Sequence, residues 1–165
     1  MLSPIRSACS AFARRCSTKP ISISKPIFAT QPASSRYNSS TSRQTIVHTK
    51  NAAPAQAPYS QAIKTPSAIY CSGQVHLTSD GVLIDGSIAE KTRKCCENIE
   101  AILKAADSSL SNVVKTTVFI SDVGYFAEMN AEYEKWFSHK PARSCVVVKG
   151  LPLNASVEIE VIALP

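Results

Sequence analysis

A chain of 165 residues with 18 basic and 12 acidic side chains has the length for one ordinary domain plus an extension. The formal charge of +6 suggests an anionic partner, yet eight basic residues and no acid fall within the first 50 positions, leaving ten basic residues against all 12 acids, a net of −2. A slightly acidic remainder excludes the usual electrostatic argument for nucleic-acid binding, and no run of about 18 apolar residues exists to span a membrane.

The chain begins "MLSPIRSACSAFARRC", with Arg6, Arg14 and Arg15 spaced among small and apolar residues, and continues Ser- and Arg-rich through "SSRYNSSTSR". These are the features of a mitochondrial transit peptide, expected over residues 1–44 without fixed structure, with a disordered basic tail as the plainer alternative. Cleavage fits after Arg36 or Tyr37. A secretory signal needs an apolar core of roughly 7–15 residues, which is missing. Two of the six cysteines, Cys9 and Cys16, fall in this stretch. Cys71, Cys95, Cys96 and Cys145 show no C-x-x-C and no histidine at ligand spacing, so free, mostly buried thiols are expected and no metal site.

Residues 47–58 read as a small-residue, Pro-containing lead-in to a domain over 45–165. "YSQAIKT" and "AIYCSGQVHL" are predicted strands separated by a turn at Pro66. "TSDGVLIDG" is a loop with two Asp-Gly turns. Ser87 and Glu90 form the capping box S-x-x-E. Ile88, Thr92, Cys95, Cys96, Ile99, Ile102, Leu103 and Ala106 then recur at helical spacing, ended by Asp107-Ser108-Ser109. "NVVKTTVFIS" is a strand of β-branched residues. The helix between it and the preceding strand makes a crossover, so the two strands are expected to run parallel. Asp122 opens a second helix with Phe126, Met129, Tyr133, Trp136 and Phe137 as its apolar stripe. "ARSCVVVK" and "SVEIEVIAL" are the last two strands, joined by "GLPLNA". The order ββαβαββ predicts an α+β fold with one α/β-like mixed sheet and two helices on one face. Both faces of the last strands carry apolar residues, which implies a second subunit over the uncovered face.

Arg143, Glu158 and Glu160 stand out because they interrupt these apolar strands. Arg143 and Glu158 lie early in what read as neighbouring segments and could meet at a sheet end or subunit seam. Two readings stay open. One is a structural ion pair; the other is a guanidinium fork for a substrate carboxylate, with Glu158 positioning water. Glu160 is more simply a structural or surface charge. Cys145, two residues from Arg143, is either an activated nucleophile or a small core residue, the commoner role. His48, His76 and His139 show no metal or triad spacing. "CSGQV" has a single glycine and cannot cradle phosphate.

The stretches "APYSQAI" (57–63), "YCSGQV" (70–75), "VVKTTVFISD" (113–122), "MNAEYEKWF" (129–137), "PARSCVVV" (141–148) and "VEIEVIA" (157–163) together resemble the RidA/YjgF family of imine deaminases. The resemblance covers almost all of the chain after residue 53, and with the N-terminal segment it resembles a mitochondrial, fungal-type member. It implies a chorismate-mutase-like fold assembled as a homotrimer, with sites between subunits and no metal or organic cofactor. It further implies hydrolysis of 2-iminobutanoate and 2-iminopropanoate to 2-keto acids and ammonia in the mitochondrial matrix. That activity would protect pyridoxal-phosphate enzymes and branched-chain amino acid metabolism, isoleucine biosynthesis included. Carried over residue by residue, Arg143 grips the carboxylate and Glu158 positions water. The backbone of Gly73 and Cys145 flanks the substrate, Tyr59 and Ser72 line the cleft, and Asn130 supports it. Ala57 replaces a glycine common in the family, and the connector "SHK" is short; both bear on the rim of the cleft. Two other functions accompany the resemblance, a ribonuclease acting as translation inhibitor and a non-catalytic carboxylate-binding regulator. The acidic balance and the missing basic-aromatic track disfavour the ribonuclease.

Overall fold

Ser87 caps the longer helix as its spacing predicts. In the computed structural model, which describes residues 43–165, its hydroxyl accepts from the Glu90 N–H, and the Glu90 carboxylate accepts from the Ser87 N–H. The predicted transit peptide and its cysteines lie outside the described residues, apart from its last two positions, 43 and 44. Helix α1 (Ile88–Ala105) buries every residue of the predicted stripe. Asp107 ends it in the left-handed region (φ 57°), with the Asp107 and Ser108 N–H groups donating back to Lys104 and Leu103.

The strands are β1 (Thr45–Val47), β2 (Ala62–Lys64), β3 (Ile69–Val75), β4 (Val113–Ile120), β5 (Ala142–Val147) and β6 (Val157–Ala163), with helix α2 (Phe126–Trp136) between β4 and β5. They form one mixed sheet in the order β1-β2-β3-β6-β4-β5. β1 is a strand that the sequence reading did not predict, and only its last residue, Val47, falls in the irregular lead-in. It pairs with β2 through only three residues, two of them exposed, so it carries little hydrophobic signal. β3 and β4 both pair antiparallel with β6, so they run parallel to each other as expected, with β6 inserted between them.

That insertion overturns one expectation. The last two strands are not neighbours, because β4 separates β5 from β6. The helices lie on one face: Val157, Ile159, Val161 and Ala163 of β6, and Thr116, Val118 and Ile120 of β4, are buried beneath them. Ile159 is fully buried at the sheet centre, so its truncation to alanine should cost roughly 2–5 kcal/mol. Of the α2 stripe, Met129, Tyr133 and Phe137 are buried and Trp136 packs at the core edge, whereas Phe126 is exposed. Glu158, Glu160 and Ile162 project from the opposite face, beside the half-exposed Tyr70 and Val146. Among the described residues no helix is long and apolar enough to cross a membrane.

Candidate active site

The register places Arg143 and Glu158 far apart in one protomer. Arg143 pairs with Thr116, and Thr116 with Val161; cross-strand partners share a face, so Arg143 projects on the helix side. Glu158 pairs with Phe119 on the open side, three positions further along β4. Two strand spacings separate them, about 10 Å before the sheet itself intervenes. A meeting at the sheet end within one chain is therefore excluded, and with it an ion pair inside the protomer.

A β-bulge builds the Glu158 half. Between the pairs Cys71–Val161 and Gln74–Ile159, Ser72 and Gly73 together face the single residue Glu160. The carboxylate of Glu158 lies directly over Gly73, where a Cβ would come within 2.8 Å of its carboxyl carbon and overlap one oxygen outright. The Ser72 hydroxyl donates to the Ser60 carbonyl (2.6 Å), and its N–H to the Gln61 carbonyl (3.0 Å), which fixes the segment bearing Tyr59 beside the bulge. Gln61 is buried and donates to the carbonyls of Thr49 and Ala53, holding that segment from behind. Tyr59, Ser72, Gly73, Leu153 and Glu158 line one cavity of about 380 Å³. Burial, and secondarily the charge of Glu160, raises the Glu158 pKa above the usual carboxylate value. Among the described residues no side chain or backbone donor engages that carboxylate. Glu132 is the opposite case, held by Arg93, Lys135 and Trp136.

The Arg143 half sits at the β5 edge against α2. One guanidinium N–H donates to Asn130 Oδ1 (2.8 Å), and the cation lies over the Tyr133 ring, 4.7 Å from its centroid. Tyr133 is held in turn by its hydroxyl on Thr116 Oγ1 (2.8 Å) and by stacking on Phe137. Asn130, Tyr133, Phe137 and Arg143 line a second cavity of about 270 Å³. Among the described residues Arg143 has no acidic partner, so most of its donors remain available for an anion. Cys145 follows on the same face of β5. Burial pushes its thiol up by more than Arg143 pulls it down, which disfavours the nucleophile and leaves the small packing residue.

The candidate residues thus fall into two groups. Tyr59, Ser72, Gly73 and Glu158 come together, as do Asn130 and Arg143, with Cys145 on the same strand face as Arg143 but not lining its cavity; the groups do not meet within one chain. The sequence reading missed Tyr133 as the plate under the guanidinium. A tyrosine in a stripe of otherwise apolar residues was the available signal. It also missed Gln61 and the cavity wall at Pro152 and Leu153, for which no local signal exists.

A small mixed sheet with two helices on one face, an arginine with no acidic partner among the described residues and a half-buried glutamate on the open face define a class of small α+β proteins with candidate positions for an anionic ligand. Residues 49–165 match the protein family described as Endoribonuclease L-PSP. The chain is 50% identical over 121 residues to Protein MMF1, mitochondrial, of Saccharomyces cerevisiae, covering 73% of this chain and 83% of that protein. It is 45% identical over 121 residues to RutC family protein UK114 of Drosophila melanogaster, covering 72% and 88% respectively. The crystal structure of yeast Mmf1 superposes with a TM-score of 0.72 at 50% identity, over 73% of this chain and 98% of that one. That of E. coli TdcF with bound serine superposes with a TM-score of 0.70 at 35% identity, over 73% and 98%. The chain belongs to the RidA/YjgF/RutC family.

Proposed function

We propose that the protein is a hydrolytic deaminase of small 2-imino acids, 2-iminobutanoate and 2-iminopropanoate, and that it works as a homotrimer with sites between subunits. The carrying observation is an arginine without an acid and a glutamate without a donor, among the described residues, on opposite faces of one sheet. Each is half of a site that a second copy completes. The open face, with Tyr70, Val146 and Ile162, supplies the surface for that copy. Serine, bound in the TdcF structure, carries the carboxylate and α-nitrogen of the proposed substrate class.

In this reading Arg143, preset by Asn130 and Tyr133, binds the carboxylate and fixes the C=N carbon beside Glu158. Glu158 accepts a proton from a water whose oxygen bonds to that carbon, while the C=N electrons move to nitrogen. Starting from the protonated imine, the carbinolamine nitrogen takes that proton back from Glu158 and leaves as ammonia when the C–N bond breaks. The hydroxyl becomes the carbonyl and passes its own proton to Glu158, which releases it to solvent. The raised Glu158 pKa brings a carboxyl closer to neutrality, where it serves both steps. The acid-free N-terminal segment and the mitochondrial relative support import into the matrix, where the activity would protect pyridoxal-phosphate enzymes of branched-chain amino acid metabolism.

The test generates the imines with an amino-acid oxidase in the presence of semicarbazide and records the semicarbazone that fails to form. Wild type should suppress it and Arg143→Ala should not. A folded wild type that leaves semicarbazone unchanged removes the deaminase reading. The family description keeps a ribonuclease as the second reading. RNA cleavage that survives Arg143→Ala in a protein without imine hydrolysis would favour it.

A further inference from the structure

The histidine that follows β3 was set aside in the sequence because it matched no metal or triad spacing. The structure gives it two fixed partners. His76 is 1% exposed, with Nδ1 2.9 Å from the Ile84 carbonyl and Nε2 3.1 Å from the Ser156 backbone nitrogen. A carbonyl can only accept and a backbone N–H can only donate. The tautomer is therefore set, with Nδ1–H donating to Ile84 and the bare Nε2 accepting from Ser156. Neither partner can exchange its role. A second proton on the ring would have to sit on Nε2, facing an N–H.

The two partners belong to different parts of the Glu158 cavity's surroundings. Ile84 lies in the loop that follows β3 and contains Leu77, a cavity-lining residue. Ser156 leads directly through Val157 to Glu158. On its other side the turn Pro152–Asn154 supplies the wall residues Pro152 and Leu153. Leu153 and Asn154 both hold left-handed backbone angles (φ 57° and 56°), which non-glycine residues keep only when anchored. We propose that His76 is a positioning residue for this cavity, a neutral imidazole that latches the 151–156 wall to the 77–87 loop and releases it on protonation. The link to catalysis rests on the deaminase reading; the latch itself does not.

The charged groups facing the ring are Lys91 from α1 and Asp85 from the loop. Lys91 Nζ is 3.5 Å from the Ser156 hydroxyl and 3.7 Å from Asp85 Oδ1. Burial first, and Lys91 among the charges, keeps the His76 pKa below its usual 6.5, against the upward pull of Ile84 and Asp85. The folded protein thus binds this proton less readily than the unfolded chain. The latch is closed at neutral pH and weakens as pH falls below about 6.5.

The test compares full-length wild type with His76→Gln by amide hydrogen exchange at Ser156 between pH 7.5 and 5. Glutamine can offer an acceptor to Ser156 and a donor to Ile84 with similar spacing, but does not titrate. The ratio of the two rates removes the intrinsic pH dependence of exchange. It should be near one at pH 7.5 and rise as pH falls, wild type becoming faster at pH 5 by up to about 30-fold, the ceiling that an open-state pKa of about 6.5 sets. In the imine assay, kcat/KM of wild type should fall more steeply in acid than that of the variant, whose remaining acid limb belongs to Glu158. A ratio that stays flat overturns the latch, whatever the imine assay gives. A rising ratio in a protein without imine hydrolysis sinks only the deaminase reading. Should His76→Gln not fold, nuclear magnetic resonance of wild type decides instead. The Ser156 amide shift must titrate with the His76 ring, and a flat amide shift beside a titrating ring refutes the proposal.

Discussion

Gly73→Ala separates the geometry of the site from the stability of the fold. The glycine backbone is not in the left-handed region, so alanine meets no conformational barrier there. Its methyl would come within 2.8 Å of the Glu158 carboxyl carbon and overlap one oxygen. Restoring ordinary contact at about 3.4–4 Å moves the carboxyl carbon by on the order of 1 Å, and its oxygen further. The obstacle is the far end of a flexible side chain, so the fold loses roughly 0.5–1.5 kcal/mol to an off-rotamer glutamate. It regains about 0.4–1 kcal/mol from the stiffer unfolded chain. Urea unfolding should therefore stay within about 1 kcal/mol of wild type. On the proposed mechanism imine hydrolysis needs that carboxylate in place and should fall about 10²-fold, the order expected for a 1 Å misplacement. Activity within threefold of wild type would refute the placement of Glu158 as the water-positioning group. A loss of more than 3 kcal/mol in stability would refute the close-approach account of Gly73.

Three further outcomes follow from neighbouring residues. Glu160→Gln removes the charge that helps raise the Glu158 pKa, so the acid limb of kcat/KM should move to lower pH; an unmoved limb would show that burial acts alone. Glu132 is buried, which opposes its ionisation, yet hydrogen bonds from Lys135, Arg93 and Trp136 hold its pKa at about 2. Discounted for the exposure of Lys135 and Arg93, its ionised form contributes roughly 1–3 kcal/mol, present above about pH 4.5 and lost as pH falls towards 2. Glu132→Gln should therefore lower stability at pH 7 and much less at pH 3, read by denaturant titration at both values. Tyr133→Phe keeps the ring under Arg143 and loses the bond to Thr116, so stability should drop about 1–2 kcal/mol with activity nearly intact; Tyr133→Leu should lose activity as well.

The capping box, the α1 stripe and the alternation of β6 were legible because each is a local pattern, a spacing of three, of 3.6 or of two. The place of β6 was not. Sequential strands usually pair, and nothing within "VEIEVIA" says that it inserts between β3 and β4. That single non-local fact puts the whole width of β4 between Arg143 and Glu158. The bulge at Ser72 and Gly73 was equally hidden, since a glycine in a strand marks either a bulge or a close approach, and here it serves both. Phe126 matched the helical stripe and is exposed, because the stripe pattern cannot tell a residue over the core from one at the helix's outer end. Cys145 showed its neighbour Arg143 in the sequence, but not the burial that outweighs it.

The central claim is that one site takes Arg143 from one protomer and Glu158 from another. Arg143→Ala and Glu158→Gln, each inactive alone, would be mixed in equal amounts, dissociated and reassembled, and assayed for imine hydrolysis. Where the halves come from different copies of a cyclic oligomer, about one site in four inherits both wild-type residues, so about a quarter of wild-type activity should return. A reassembled oligomer with no activity beyond the two variants alone would contradict the shared site.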